Sequence, residues 1–311
     1  MGKKRKLGRT GLEVDELTVG TWGLFTESYG RVFPEQQSAT LQRAIDQGLT
    51  SFDMAPTWGD EGDAEKAVAT AVGTRRDEMT YITRVGRVQG EHGLTTAFSP
   101  DLIRAQVESS LQRLSTDRID VLLMQHPSID DTLRDDSVRE TLDALKTEGK
   151  LRAWGASVSH VDDARAALVT GSQVLCVPFS MVTPDIVWDI QSECREAGVG
   201  ILGRSVLLHG MLSGRWGERK RFAAEDHRTQ RWSSEALAAR VKMAEEFKQR
   251  TAPGASNMSS LALQFVLTHD DVASAVFGPR TPAQVVAAVE GIANDMMLSP
   301  VDLQFIYNSI R

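Results

Sequence analysis

Residues Ser99–Met124 read SPDLIRAQVESSLQRLSTDRIDVLLM and hold one helix and one strand. Ser99-Pro100-Asp101 supplies an N-cap serine, a proline at the first helical position and an acid in the first turn. Ile103, Val107, Leu111 and Leu114 then recur at a spacing of 3–4, which puts them on one helix face. Ile119–Met124 follows as a near-continuous apolar run, the pattern of a parallel strand buried on both faces.

The same alternation runs through the chain. Further strand-like runs are Leu17–Gly20, Ser51–Asp53, Met79–Arg84, Leu151–Ser157, Val174–Pro178, Gly200–Gly203 and Ala273–Phe277. A helical stretch follows each. Thr183-Pro184-Asp185 repeats the start signal, and Thr281-Pro282-Ala283-Gln284 has capping-box spacing. Eight strand–helix units predict an α/β chain folded as one (β/α)8 TIM barrel over residues 1–311, with a short N-terminal β-hairpin. A doubly wound sheet with a small second domain is the structural alternative. No Pro/Gly/Ser linker divides the chain. No Gly-x-Gly-x-x-Gly follows the first strand and no Walker-type loop occurs, so a dinucleotide is not held in the Rossmann manner.

Composition narrows the function. The chain has 311 residues, 41% hydrophobic and 25% charged, with a net charge of −7. These values argue against disorder and give a nucleic-acid partner no general electrostatic support. Cys176 and Cys194 read as free thiols, and two cysteines cannot complete a four-cysteine zinc site. The six histidines (His92, His126, His160, His209, His227, His269) are scattered, so no metal site is expected. The basic start Met1–Lys6 runs into a polar, glycine-rich Leu7–Gly11, not a signal's apolar core. No apolar run approaches the roughly 18 residues of a membrane span. The expectation is a cytoplasmic protein acting on a small molecule, with its oligomeric state unspecified. Gly214–Ser233 is the longest polar interval and holds Arg215, Arg219, Lys220, Arg221, Arg228 and Arg231. It reads as a solvated surface loop, or as a basic loop folding over an anionic ligand at the barrel mouth.

Specific motifs add a resemblance. Arg5-Lys6-Leu7-Gly8-Arg9-Thr10-Gly11-Leu12-Glu13-Val14, then Gly20-Thr21-Trp22-Gly23, resembles the start of an aldo-keto reductase. Phe52-Asp53-Met54-Ala55-Pro56 with Gly59 and Glu65, Ile119–Met124, Glu148–Gly155, Asp226-His227-Arg228 and Gly278-Pro279-Arg280-Thr281 extend the likeness over the whole chain.

The resemblance implies NADP(H)-dependent carbonyl reduction by four residues at the barrel mouth. A Tyr donates the proton, a Lys lowers its pKa, an Asp anchors the Lys and a His polarises the carbonyl. Here the Asp is Asp53. The Tyr, Lys and His positions hold Trp58, Arg84 and Gln125, with His126 next in sequence. An indole N–H donates a hydrogen bond but transfers no proton near neutral pH, and a guanidinium does not deprotonate. Losing a general acid alone costs roughly 10²–10⁴ in rate. Asp53 and Arg84 read as a bidentate pair of structural or catalytic use. His126 should face away from Gln125 by strand alternation unless a bulge reverses it.

For the cofactor, the resemblance implies contacts from Ser157, Arg204, Ser205, Leu207, Gly210, Ser213, Gly278, Arg280, Thr281 and Gln284. Val158, Cys176, Ala287 and Ala288 replace usual contacts, which weakens NADP(H) binding. Three readings follow. The first is a barrel enzyme repurposed toward a polar metabolite, anionic or sugar-like, by elimination or isomerisation, with Trp22, Tyr29 and His126 contacting substrate. The second is an NADP(H) oxidoreductase with another proton donor such as Tyr29; Tyr81 should point outward, and Tyr307 lies in a tail that lines the mouth in the family. The third is a non-catalytic binding or regulatory barrel.

Overall fold

The computed structural model of the chain describes residues 3–91, 93–133, 136–217, 220–250, 257–293 and 298–310. Arg219 and His92 lie outside them. An antiparallel hairpin, β1 (Lys4–Lys6) and β2 (Glu13–Asp15), opens the fold. The barrel strands are β3 (Leu17–Gly20), β4 (Ser51–Asp53) and β5 (Thr80–Val85), then, after an outer hairpin of β6 (Arg87–Gly90) and β7 (Gly93–Thr96), β8 (Ile119–Gln125), β9 (Leu151–Ser157), β10 (Val174–Pro178), β11 (Gly200–Arg204) and β12 (Val272–Phe277). Eight strands close in the order β3-β4-β5-β8-β9-β10-β11-β12, with β12 pairing β3 in parallel. All eight expected strand runs form. The likeness to a (β/α)8 barrel is therefore complete, and the doubly wound alternative falls away.

The surrounding helices are α1 (Trp22–Phe25), α2 (Pro34–Asp46), α3 (Asp63–Val72), α4 (Pro100–Arg113), α5 (Ile129–Leu133), α6 (Asp136–Thr147), α7 (Val161–Val169), α8 (Asp185–Ala197), α9 (Ser234–Arg250), α10 (Met258–Leu267), α11 (Pro282–Ala293) and α12 (Pro300–Ile310). Ser99 caps α4, its hydroxyl accepting from the Leu102 N–H at 3.3 Å. Ile103, Val107, Leu111 and Leu114 are all buried against the strands. The second start signal acts differently from expectation. Thr183 bonds the Ser180 hydroxyl at 2.9 Å, and α8 begins at Asp185 without a side-chain cap. No described helix is long and apolar enough to cross a membrane.

Strand alternation sorts side chains into two layers. Ile82, Val121, Leu123, Val174, Cys176 and Leu202 point inward and cluster with Leu7, Leu12 and Val14 of the first hairpin. The hairpin thus plugs the N-terminal end of the barrel. Arg5 holds it there by donating to the Leu267 carbonyl at 2.7 Å and the Val272 carbonyl at 3.1 Å. The same parity carries Asp53, Arg84, Gln125, Ser157 and Arg204 to the inner face at the C-terminal ends of their strands.

Glu65 on α3 ties this scaffold together. It is fully buried, accepts from the Thr83 hydroxyl of β5 at 2.6 Å and from Arg113 Nε of α4 at 2.6 Å. Glu65→Ala would strand the half-buried Arg113 charge. The expected loss is about 3 kcal/mol, the low end for a broken buried pair because Arg113 retains solvent. Urea denaturation measures it; a loss below about 1 kcal/mol would show that Arg113 finds other solvation.

Candidate active site

Asp53 ends β4 and Arg84 lies near the end of β5, side by side in the barrel register. Their side chains make a two-point pair, with Arg84 Nη1 donating to Asp53 Oδ1 at 2.5 Å and Nη2 to Oδ2 at 3.1 Å. Nη1 also donates to the Met54 carbonyl at 2.7 Å, and Cys176 Sγ lies 3.9 Å from Nη2. The Trp58 ring covers the guanidinium, 4.6 Å from its centre. Both charged groups are only 3% exposed. Burial works against the Arg84 charge, but Asp53 and Cys176 more than restore it, so the guanidinium stays protonated. Burial also raises the neighbouring Cys176 thiol. Gly59, at φ +86°, makes the turn that seats Trp58; a Cβ there would lie 2.7 Å from the Asp63 Cβ.

Gln125 and Ser157 are register partners on β8 and β9. Gln125 is half-buried and follows Val121 and Leu123 toward the axis. His126 then leaves the strand at φ +53°, its N–H donating to the Ser157 carbonyl at 2.9 Å. This left-handed residue breaks the alternation. It holds an exposed imidazole at the rim, within electrostatic reach of Arg204 and Arg84. Loss of hydration, then Arg204, Arg84 and Arg87, lower its pKa to about 4. His126 is therefore neutral at pH 7. Arg204 ends β11 and donates to the Val158 carbonyl and the Ser159 hydroxyl. Ser159 has no place among the residues expected from sequence.

Two loops meet over this layer. Tyr29 donates to, or accepts from, His209 Nδ1 at 2.8 Å, and its ring meets Trp22 and His227 edge-on at 5.0 and 4.8 Å. Arg228 forms a two-point pair with Asp226, and its guanidinium lies 4.6 Å from the ring centres of both Tyr29 and Phe222. The His227 N–H donates to the Ser28 carbonyl at 3.2 Å. Asp226-His227-Arg228 is thus the hub that binds the interval after β11 to the loop after β3. The described part of the basic interval thus packs on the loop after β3 through His227 and Arg228.

None of the three tyrosines occupies the Trp58 position. Burial drives the Tyr29 hydroxyl well above its ordinary value and makes it a poorer acid. Tyr81 is buried in the outer layer under the Arg76 guanidinium, 4.1 Å away, with its pKa raised by burial to about 12. Tyr307 does not line the mouth. Its hydroxyl meets His269 Nε2 at 3.1 Å, beside the carbonyls held by Arg5 at the plugged end.

The comparisons agree with this architecture. The family profile described as "Aldo/keto reductase family" matches residues 16–300. The chain belongs to the aldo-keto reductase family. It is similar to aldo-keto reductase YhdN of Bacillus subtilis, 26% identical over 90% of this chain and 86% of that one. It is also similar to the NADH-specific methylglyoxal reductase of Escherichia coli, 27% identical over 91% of each. The holo structure of an aldo-keto reductase from Bacillus halodurans superimposes with a TM-score of 0.83 at 26% identity, covering 100% of this chain and 97% of the other.

Aldo-keto reductases use NAD(P)H, so this chain's cofactor residues can be tested against its own contacts. Ser157 is 2% exposed and is the strand register partner of Cys176. Val158 is buried in the apolar core and offers no amide. Ser205 and Gly210 take positive φ in a tight turn, which the Leu207 carbonyl closes by accepting from the Gly210 N–H at 2.9 Å and the Leu212 N–H at 3.1 Å, and Ser213 accepts from the Arg215 N–H at 3.4 Å. Arg280 donates to the Gly23, Tyr29 and Gly30 carbonyls at 3.0, 3.0 and 2.6 Å. Gln284 accepts from the Arg280 N–H at 2.7 Å, and Thr281 caps the Gln284 N–H at 3.3 Å. Gly278 is exposed beside the Gly20 carbonyl. Ala287 is exposed and Ala288 packs into the core. At the loop end of the cleft, Arg280 thus holds the loop after β3. Among the described residues, no His, Cys, Asp and Glu cluster fits a metal ion.

The Asp53–Arg84 pair makes a direct prediction. Arg84→Met leaves a buried carboxylate alone and should cost about 3–5 kcal/mol. Asp53→Leu with Arg84→Met should recover most of that loss. A double variant as unstable as the single one would show that the pair does more than neutralise charge; paired denaturation curves supply the comparison.

Proposed function

We propose that this aldo-keto reductase barrel binds and polarises a polar metabolite, anionic or sugar-like, and does not reduce carbonyls by the family's tyrosine route. One observation carries the reading. The position of the proton donor holds an indole stacked on a guanidinium that Asp53 keeps charged. Nothing in that stack yields a proton near neutral pH. What the mouth does offer is hydrogen-bond donors and positive charge. The Trp58 N–H and the Gln125 amide make no hydrogen bond among the described residues, and Arg204 stands beside them. Such a set holds an oxygen and stabilises charge developing on it. The neutral His126 imidazole at the rim is the group able to accept a proton. An anion bound beneath it would offset the arginines that depress its pKa. Elimination and isomerisation are reactions that need only these parts.

A second reading has separate support. Family membership and the printed name of the Escherichia coli relative favour a nicotinamide-linked oxidoreductase. The committed contacts of Arg280 then favour a dinucleotide without a 2′-phosphate.

Methylglyoxal reduction by the wild type should run at least about 10²-fold slower than by the triple variant Trp58→Tyr, Arg84→Lys, Gln125→His. Wild-type turnover equal to the variant's would overturn the first reading. Calorimetric titration with NADH and NADPH tests the second. Affinities within about threefold of each other support it, and a strong preference for NADPH sinks the role given to Arg280.

A further inference from the structure

An arginine has five N–H donors. Those on Arg204 Nη2 go to the Val158 carbonyl at 3.1 Å and the Ser159 hydroxyl at 2.7 Å. Nε is buried without a partner, and Nη1 makes no hydrogen bond among the described residues. The carboxylate within reach is Asp53, and both of its oxygens are taken by Arg84. Asp53 and Arg84 cancel. The layer is left with the charge of Arg204.

The surroundings relieve it only in part: Cys176 and Asp53 favour the charge, yet the balance stays against it. Burial first, then Arg84 and Arg231, act against the Arg204 charge. His126 and His209 face the same region and are held neutral, His209 at about 3 by burial and by Arg231, His227, Arg204 and Arg228. Arg228 already has Asp226. A half-buried cation whose nearest carboxylate is already paired is poorly compensated, and a buried N–H without an acceptor is costly. Both debts fall on one side chain, at the C-terminal end of a barrel strand, where this fold places ligands.

We infer that Arg204 is the receptor for a compact oxyanion, carboxylate or phosphate, carried by the small ligand of the barrel mouth. The inference rests on the reading of the mouth as a ligand site. It assigns the charge recognition to Arg204 and not to Arg84, whose Nη donors are already occupied. The anion belongs to the ligand's reacting end, because Arg204 sits with the Asp53–Arg84 pair and not with the loop at 278–284. The Trp58 and Gln125 donors then orient the rest of the molecule.

Calorimetry on the full chain with malonate and with inorganic phosphate, and with glycerol as a neutral control, tests this. One anion should bind per chain with Kd below about 1 mM and raise Tm, while glycerol does neither. Tighter malonate binding identifies a carboxylate ligand; tighter phosphate binding identifies a phosphorylated one. Arg204→Gln should weaken the anion at least about tenfold and keep its Tm without anion. Arg204→Lys keeps the charge but loses the planar fork, and should weaken binding at least about threefold; it decides the matter should the glutamine variant not fold. Failure of both anions to bind the wild type below about 20 mM overturns the inference. So does unchanged binding by the variants, and so does competition by ADP, which would put the anion in a dinucleotide phosphate site. Binding is read here without turnover, so this result and the carbonyl-reduction result fail separately.

Discussion

Two opposite charges 2.5 Å apart, nearly sealed from water, set the terms for everything at the open end of this barrel. Asp53 and Arg84 come from adjacent strands, and their pairing requires those strands to stay in register. Trp58 can lie flat over the guanidinium only because the pair holds it still. Arg84 also reaches the Met54 carbonyl, which fixes the chain just before the turn that presents Trp58. The family's reaction needs a lysine that lowers a tyrosine's pKa. Here the same two places hold a permanent cation and a ring that receives it. The pair satisfies itself, each carboxylate oxygen taking one guanidinium N–H.

The charge balance of the layer follows from that self-sufficiency. If Asp53 were free, it would neutralise Arg204. Because it is not, one arginine remains unmatched in a place where burial penalises charge. Burial first, and the surrounding arginines after it, lower the neighbouring imidazoles, His126 to about 4 and His209 to about 3.

The barrel was legible in sequence because parallel strands buried on both faces write themselves as short apolar runs, and all eight runs became strands. Asp53, Trp58, Arg84, Gln125, Ser157 and Arg204 were also legible, since strand parity carries them to one layer. Three features were not. Thr183 carries a start signal that a side-chain bond to Ser180 takes over. Arg280 donates to three backbone carbonyls of the loop after β3, contacts that no spacing records. His126 faces the mouth because its φ is positive, a choice the sequence leaves to the chain's termination of β8. The triplet Asp226-His227-Arg228 stood out by resemblance, but its work as a hub depends on Tyr29 and Phe222 arriving from other segments.

The first hairpin has a bearing on traffic through the molecule. Leu7, Leu12 and Val14 close the far end of the barrel, and Arg5 fastens them to the chain around β12. Their side chains fill the space between the strand starts, so a ligand of this barrel meets it at the C-terminal ends of the strands, beside the loops that Arg228 joins.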